Sequence, residues 1–340
     1  MRKVFSGFFK TSTKVISSVL VCIGLVGIVL VFSFSKPAPK LCSPEICEPK
    51  SPFVVTGVEI PDSIDFAGER VPVENFDVKE SLERELLINS YWHSQTLLLL
   101  KKSTRYFGVI EPILKKYNLP DDFKFLVLAE SGLSNVSSPA GAVGFWQFLP
   151  ATAKEYGLEV NDEIDERYHM EKSTVAACKM LLSSFNVYKS WTMAAASYNT
   201  GRQGLNKQIK RQYTANYYDI LLNDETARYI FRIVALKMIL NDPKKYGFEI
   251  SKKDYYQPIP YSEITVNKPI TDLAKFAFEN GTNYKILKML NPWFRSNVLT
   301  NKMGKSYVIK IPETGFRKFK KELPEEDINR IEKQSEQLVQ

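Results

Sequence analysis

Leu126-Val127-Leu128-Ala129-Glu130-Ser131-Gly132 sets a carboxylate at the last turn of an apolar segment. Phe123, Phe125, Leu126, Leu128 and Ala129 leave that segment apolar on nearly every side, which predicts a buried helix. Burial disfavours the ionised carboxylate. Gly132 reads as a helix-ending residue, so Glu130 sits near the negative end of the helix dipole. No Lys or Arg occurs between Lys124 and Lys154 to offset either effect. A carboxyl in such a place stays protonated up to about pH 6 and can serve as a general acid. Taken alone, the same residues also describe a plain helix-end Glu that reaches solvent. The surrounding motifs decide between the two.

Upstream, Leu119-Pro120-Asp121-Asp122 starts this helix with proline and acids, as helix N-termini prefer. Further back, Leu82, Leu86, Ser90 and His93 to Leu100 predict one long helix and Tyr106 to Lys116 a second. Downstream, Pro150 to Tyr156 reads as a short helix closed by Gly157, and Ser173 or Thr174 as the cap of a helix reaching Phe185. Trp191 to Tyr198 is another, closed at Asn199-Thr200-Gly201 with a left-handed Asn199 as the plainer reading of that end, and Asp224 to Leu240 is a long amphipathic one. Between Lys79 and Gly247 no alternating strand pattern stands out, so this domain is mainly α. After Gly247 the pattern changes. Ile264-Thr265-Val266, Thr271 to Glu279, Tyr284 to Leu290 and Tyr307 to Pro312 read as β-α-α-β, followed by a charged tail over 313–340.

The N-terminal end has a different character. Val15 to Phe34 is a run of 20 residues without a charge, long enough to cross a hydrocarbon core. Arg2, Lys3, Lys10 and Lys14 precede it, and the first acid is Glu45. That bias predicts a cytoplasmic segment 1–14, a membrane-spanning 15–34 and an exported remainder. A cleaved signal peptide is the competing reading. Residues 35–78 carry seven prolines and no sustained period, and read as an extended tether.

Composition excludes several functions. A net charge of +8 without a dense basic block argues against nucleic acid. Two histidines and no Cys/His cluster argue against a zinc enzyme, and no other metal or cofactor is called for. Cys178, among Ala176, Ala177, Met180 and Leu181, reads as a buried small hydrophobe. Cys42 and Cys47 are close enough for a local disulfide in an oxidising compartment. Nothing in the sequence fixes an oligomeric state.

Two further stretches carry chemistry. Ser138-Pro-Ala-Gly-Ala-Val-Gly144-Phe145-Trp146-Gln147 combines small residues, which let a backbone approach a ligand, with aromatics that could pack on a sugar face. Its plainer reading is a tight turn with Phe145 and Trp146 in the core. Gln147, an amide amid aromatics, must be hydrogen-bonded. Tyr198 and Asn199 follow the small-residue run Ala194-Ala195-Ala196-Ser197.

Glu130-Ser131, Gly144-Phe145-Trp146-Gln147, Tyr198-Asn199 and Glu225-Thr226-Ala227-Arg228-Tyr229, in this order and spacing, resemble the lytic transglycosylases of soluble-lytic-transglycosylase and goose-lysozyme type. Asp165-Glu166-Arg167 followed by Ser173-Thr174 and Ala176-Ala177 is part of the likeness. The resemblance implies a lysozyme-like helical domain over 79–250 that cleaves the MurNAc-β-1,4-GlcNAc bond of peptidoglycan. It makes Glu130 a lone acid and then base, sets Ser138 near the substrate N-acetyl group, and lines the sugar cleft with Phe145, Trp146, Gln147, Tyr198, Asn199 and Tyr229. Phe145-Trp146 departs from the usual Leu-Met and Ser197 from the usual Ala, which bears on subsite shape. Residues 262–312 resemble a LysM peptidoglycan-binding module, with Asn267-Lys268-Pro269-Ile270 in place of the usual Gly-Asp-Thr start.

Ordinary glycosidases need two carboxylates. Asp162, Glu163, Asp165 and Glu166 are the candidates for a second; if one faces Glu130, the enzyme is a goose-type hydrolase. If none does, the sugar's own C6 hydroxyl attacks and a 1,6-anhydro end results. A non-catalytic, membrane-anchored wall-binding protein is the third alternative. The expected partners are peptidoglycan strands and, through the N-terminal helix, a membrane. The expected place is the cell envelope: anchored in the inner membrane with a periplasmic catalytic domain, or periplasmic after cleavage. The LysM-like unit is expected to bind wall polymer independently of the cleft; packing against the catalytic domain is its competing role.

Overall fold

Asp65–Phe66 (β1) and Glu69–Arg70 (β2) pair antiparallel around Ala67 and Gly68, both at positive φ. A two-residue turn of this kind matches the natural strand twist. The computed structural model describes residues 55–318 and Arg330. The segment 1–14, the apolar run 15–34, Cys42, Cys47, the first part of the proline-rich stretch and most of the charged tail lie outside them. Among the described residues no helix is long and apolar enough to cross a membrane. The later part of the expected tether is not extended: Phe66 and Val71 are fully buried. Glu69 seats its carboxylate on the N-terminus of the helix Trp191–Thr200, accepting from the Thr192 amide at 2.9 Å and Ser190 Oγ at 2.8 Å. A carboxylate there satisfies donors that have no partner within the helix.

The helices that follow are α1 (Phe76–Tyr91), α2 (His93–Lys116), α3 (Phe123–Ser131), α4 (Pro150–Glu155), α5 (Met170–Tyr188), α6 (Trp191–Thr200), α7 (Arg202–Gln212) and α8 (Asp224–Asn241). The break between the first two falls at Trp92, not between Leu100 and Tyr106. α5 begins at Met170, so Ser173 and Thr174 lie inside it rather than capping it. Thr174 is used in a tertiary contact instead, its Oγ1 accepting from Trp146 Nε1 at 2.8 Å. α8 is the axis of the domain. Asn223 caps it by accepting from the Thr226 amide, and Ile230, Ile233, Val234, Ala235 and Ile239 are fully buried. α1, α3 and α6 pack on it.

β3 (Tyr261–Val266) and β4 (Tyr307–Pro312) pair antiparallel with Ile264 opposite Ile309. Between them run α9 (Leu273–Glu279), capped by Asp272, and α10 (Tyr284–Leu290), capped by Asn283, with Gly281 at φ 72° in the turn. Buried Asn291 donates to Lys310 O and accepts from Lys310 N–H, each at 2.8 Å, clipping the end of α10 to β4.

This unit is docked on the helical domain. Val143, Ile164 and Tyr168 share one apolar cluster with Leu287, Trp293, Phe294 and Ile309. Ile164 bridges Phe294 in a strand-like contact, the Asp165 amide donates to Trp293 O at 2.9 Å, and the Arg295 amide donates to Glu163 O at 2.8 Å. Thr300 N–H donates to Glu163 Oε2 at 2.8 Å, and Lys310 pairs with Glu171. The Arg295 guanidinium lies 4.2 Å from the centre of the Tyr168 ring.

Candidate active site

Glu130 comes from the C-terminal turn of α3. The helix forms because Phe123, Phe125, Leu126, Val127 and Leu128 are all buried, and it ends because Gly132 turns left-handed at φ 58°, its amide donating back to Leu128 O. Glu130 itself is half-buried. Its Oε1 accepts a short hydrogen bond from the phenol of Tyr229, on the buried face of α8. Burial pushes the carboxyl up to about 7; Glu225 pushes the same way, while the Tyr229 hydrogen bond and Arg232 oppose it. The expected absence of cations near α3 holds only along the local sequence. Lys102 donates to Gly132 O at 3.1 Å, and Arg232 arrives from α8, where buried Glu85 draws in both Arg228 and Arg232. Burial prevails over them.

The phenols stay neutral donors. Burial raises Tyr229 and Tyr198 well above the ordinary tyrosine range, and the Glu130 charge adds to both shifts. Tyr198 leaves α6 half-buried and donates to Trp146 O at 2.7 Å. That bond joins α6 to the loop 138–148.

Within the loop, Ser138 Oγ accepts from the Ala142 amide at 3.0 Å, so it shapes a turn. Gln147 is partly exposed with φ 48°, and its Nε2 donates to Gly144 O at 2.7 Å and Val136 O at 3.1 Å. Phe145 and Trp146 offer almost no surface for a ligand to stack on. They are 4% and 0% exposed, and Trp146 points at Thr174 inside the core. Their apolar area is satisfied internally, which is the plainer of the two sequence readings.

Asn199 does not turn left-handed; that role passes to Gly201, whose positive φ ends α6. Helical Asn199 instead donates to Glu225 Oε1 at 3.2 Å and accepts from Thr226 Oγ1 at 2.8 Å. The structure therefore brings Glu130, Tyr229, Tyr198, Asn199 and Glu225 together at the meeting of α3, α6 and α8. No role for Glu225 or Arg232 was read from the sequence. The signal was there: residues 225, 229 and 232 are spaced i, i+4, i+7 and share one helical face.

Three of the four carboxylates of the 162–166 loop are committed elsewhere. Asp165 pairs with Arg167 at 2.7 Å, Glu166 with Lys172, and Glu163 with Thr300. Asp162 is exposed, beside Thr300 and Asn301 of the docked unit. Among the described residues no group of His, Cys, Asp and Glu could hold a metal ion.

Residues 109–221 match the transglycosylase SLT domain family model, and residues 262–315 match the soluble lytic transglycosylase C-terminal LysM-like domain. The first match takes in Glu130, the 138–148 loop and Tyr198-Asn199; Tyr229 lies beyond its end. The chain is 28% identical over 242 residues to the membrane-bound lytic murein transglycosylase D of Escherichia coli strain K12, and equally to that of strain O6:H1. The alignment covers 69% of this chain and 52% of each relative, so the chain spans about half the length of the curated relatives it matches.

Proposed function

We propose that this chain, which carries an SLT transglycosylase domain followed by a LysM-like domain, is a peptidoglycan lytic transglycosylase. It cleaves the MurNAc-β-1,4-GlcNAc bond without water and leaves a 1,6-anhydro-MurNAc end. The observation that carries this reading is Glu130: a half-buried carboxyl raised to about 7 that keeps its proton near neutral pH and receives a hydrogen bond from Tyr229.

Protonated Glu130 donates to the glycosidic oxygen as the bond to C1 breaks. The resulting carboxylate takes the proton of the C6 hydroxyl as that oxygen closes on C1. One residue acting first as acid and then as base suffices for both steps. Tyr229 holds the carboxyl in place and stabilises its charged form between them. Ser138, Gln147, Tyr198 and Asn199 line the strand-binding cleft, while Phe145 and Trp146 shape its wall from behind. The enzyme works in the cell envelope, with residues 15–34 as its membrane anchor, and needs no cofactor.

One observation favours the hydrolytic alternative. Glu225 is exposed and close enough to raise Glu130, so it could activate a water. Mass spectrometry of the products from intact peptidoglycan separates the two. The proposal requires anhydro ends. A reducing end, heavier by one water, together with loss of activity in Glu225→Gln, would assign a hydrolase instead.

A further inference from the structure

Arg167 sits at the centre of a connection that the cleft residues do not explain. It is 7% exposed and Asp165 is 6% exposed. Asp165 holds the guanidinium in a two-pronged pair, Nε to Oδ1 at 2.9 Å and Nη2 to Oδ2 at 2.7 Å. The remaining terminal nitrogen, Nη1, donates to Gly141 O and to Phe148 O, each at 3.1 Å. One side chain thus ties both ends of the 141–148 loop. The middle of the loop rests on the same residue's backbone: a Cβ on Gly144 would lie 2.1 Å from Arg167 O. Asp165 is fixed in turn by the LysM-like unit, through its amide on Trp293 O. Val143 anchors the loop in the apolar cluster of that unit.

We propose that Arg167 is a positioning residue, a strut aligned by Asp165 that fixes the 141–148 wall of the glycan cleft and makes its geometry depend on the docked LysM-like unit. The proposal rests on the transglycosylase reading for its catalytic consequence. Arg167 touches no substrate; it acts through the loop that carries Gln147 and the Trp146 carbonyl held by Tyr198. Only a planar fork serves four acceptors at these angles. A lysine keeps the charge but cannot hold both oxygens of Asp165 and two carbonyls at once.

The test uses full-length Arg167→Lys, with Asp165→Asn as a milder second variant should the first fold poorly. Hydrogen exchange is followed at the Val143 and Gly144 amides, which donate to Phe148 O and Val136 O. Their protection should fall about tenfold, with residues 126–131 and 230–236 unchanged, as a local opening requires. On short soluble glycan strands, KM should rise about tenfold while kcat changes less than about threefold, because the wall contributes uniform binding. The pH at which activity is lost should not move, since Arg167 neither bonds Glu130 nor is among the charges that shift it. Unchanged loop exchange and KM in a folded variant would overturn the strut, and so would a uniform loss of protection across the domain. Should the wild type prove not to cleave glycan, the transglycosylase reading fails, but the exchange measurement still decides the strut.

Discussion

The Tyr229 phenol donates its hydrogen to Glu130 Oε1, so a neutral donor from α8 meets a strongly raised carboxyl at the end of α3. Neither helix alone makes an acid. α3 supplies burial, and α8 supplies both the hydrogen bond and, through Glu225 and Arg232, two opposed charges. Burial outweighs the contacts that lower the carboxyl and leaves it near 7, which is what general acid–base chemistry needs.

Tyr229→Phe removes the hydrogen bond that lowers Glu130. The carboxyl should then titrate higher than about 7, and the pH–rate profile should lose activity at higher pH than the wild type. The hydroxyl also steadies the carboxylate formed mid-reaction, so the maximal rate should fall about tenfold. An unchanged profile would show that the hydrogen bond does not form in solution.

Glu130 also carries a stability signature. Its folded value, about 7, exceeds the unfolded reference of 4.5. The native state therefore binds more protons than the unfolded state between those values, and stability falls as pH rises through that window. Glu130→Gln should remove this slope. It should be more stable than the wild type by up to about 3 kcal/mol at pH 8 and equal to it near pH 4. Urea titration at the two pH values reads the difference.

Glu171 behaves in the opposite sense. Burial alone would raise it, but hydrogen bonds and charge from His169 and Lys310 hold it down to about 2. Its contribution is present above about pH 4.5 and is lost as pH falls toward 2. Because Lys310 belongs to the LysM-like unit, Lys310→Met should loosen the docked interface at neutral pH and show less of this acid sensitivity. Thermal unfolding across pH 3–7 checks it.

Deleting residues 258–340 should do more than remove the LysM-like unit: it should loosen the helical domain on which that unit docks. It uncovers Val143, Ile164 and Tyr168 and frees Asp165 from Trp293. The melting temperature should fall by roughly 5 °C or more, each kcal/mol being worth about 2–4 °C at this size. Turnover of short fragments should fall along with that of intact wall. The packing role is favoured over independent binding because the interface includes backbone hydrogen bonds and a shared core.

Much of this was legible in the sequence, for physical reasons. Glu130 and Gly132 announce a helix end through local chemistry, and Tyr284–Leu290 and Tyr307–Pro312 show clean periods between turn residues. α7 left no signal because only Leu205 along it is buried. The break at Trp92 has neither Gly nor Pro to mark it. Ser173 and Thr174 look like caps because they are hydroxyl residues before an apolar run, yet tertiary bonding decided their place. Arg167, Glu225 and Arg232 were in view, but their roles depend on groups tens of residues away. For the same reason the docking of the LysM-like unit was unreadable: Ile164 and Phe294 meet only in three dimensions.

The most direct measurement is the rate of muropeptide release by Glu130→Gln at neutral pH, beside wild-type protein of equal folded fraction. Gln keeps the shape of the side chain and cannot give up a proton to the glycosidic oxygen. The account predicts a rate at least about a hundredfold lower, the lower end of what a general acid contributes. A folded variant that retains more than about a hundredth of the wild-type rate would contradict it and move the catalytic role to another residue.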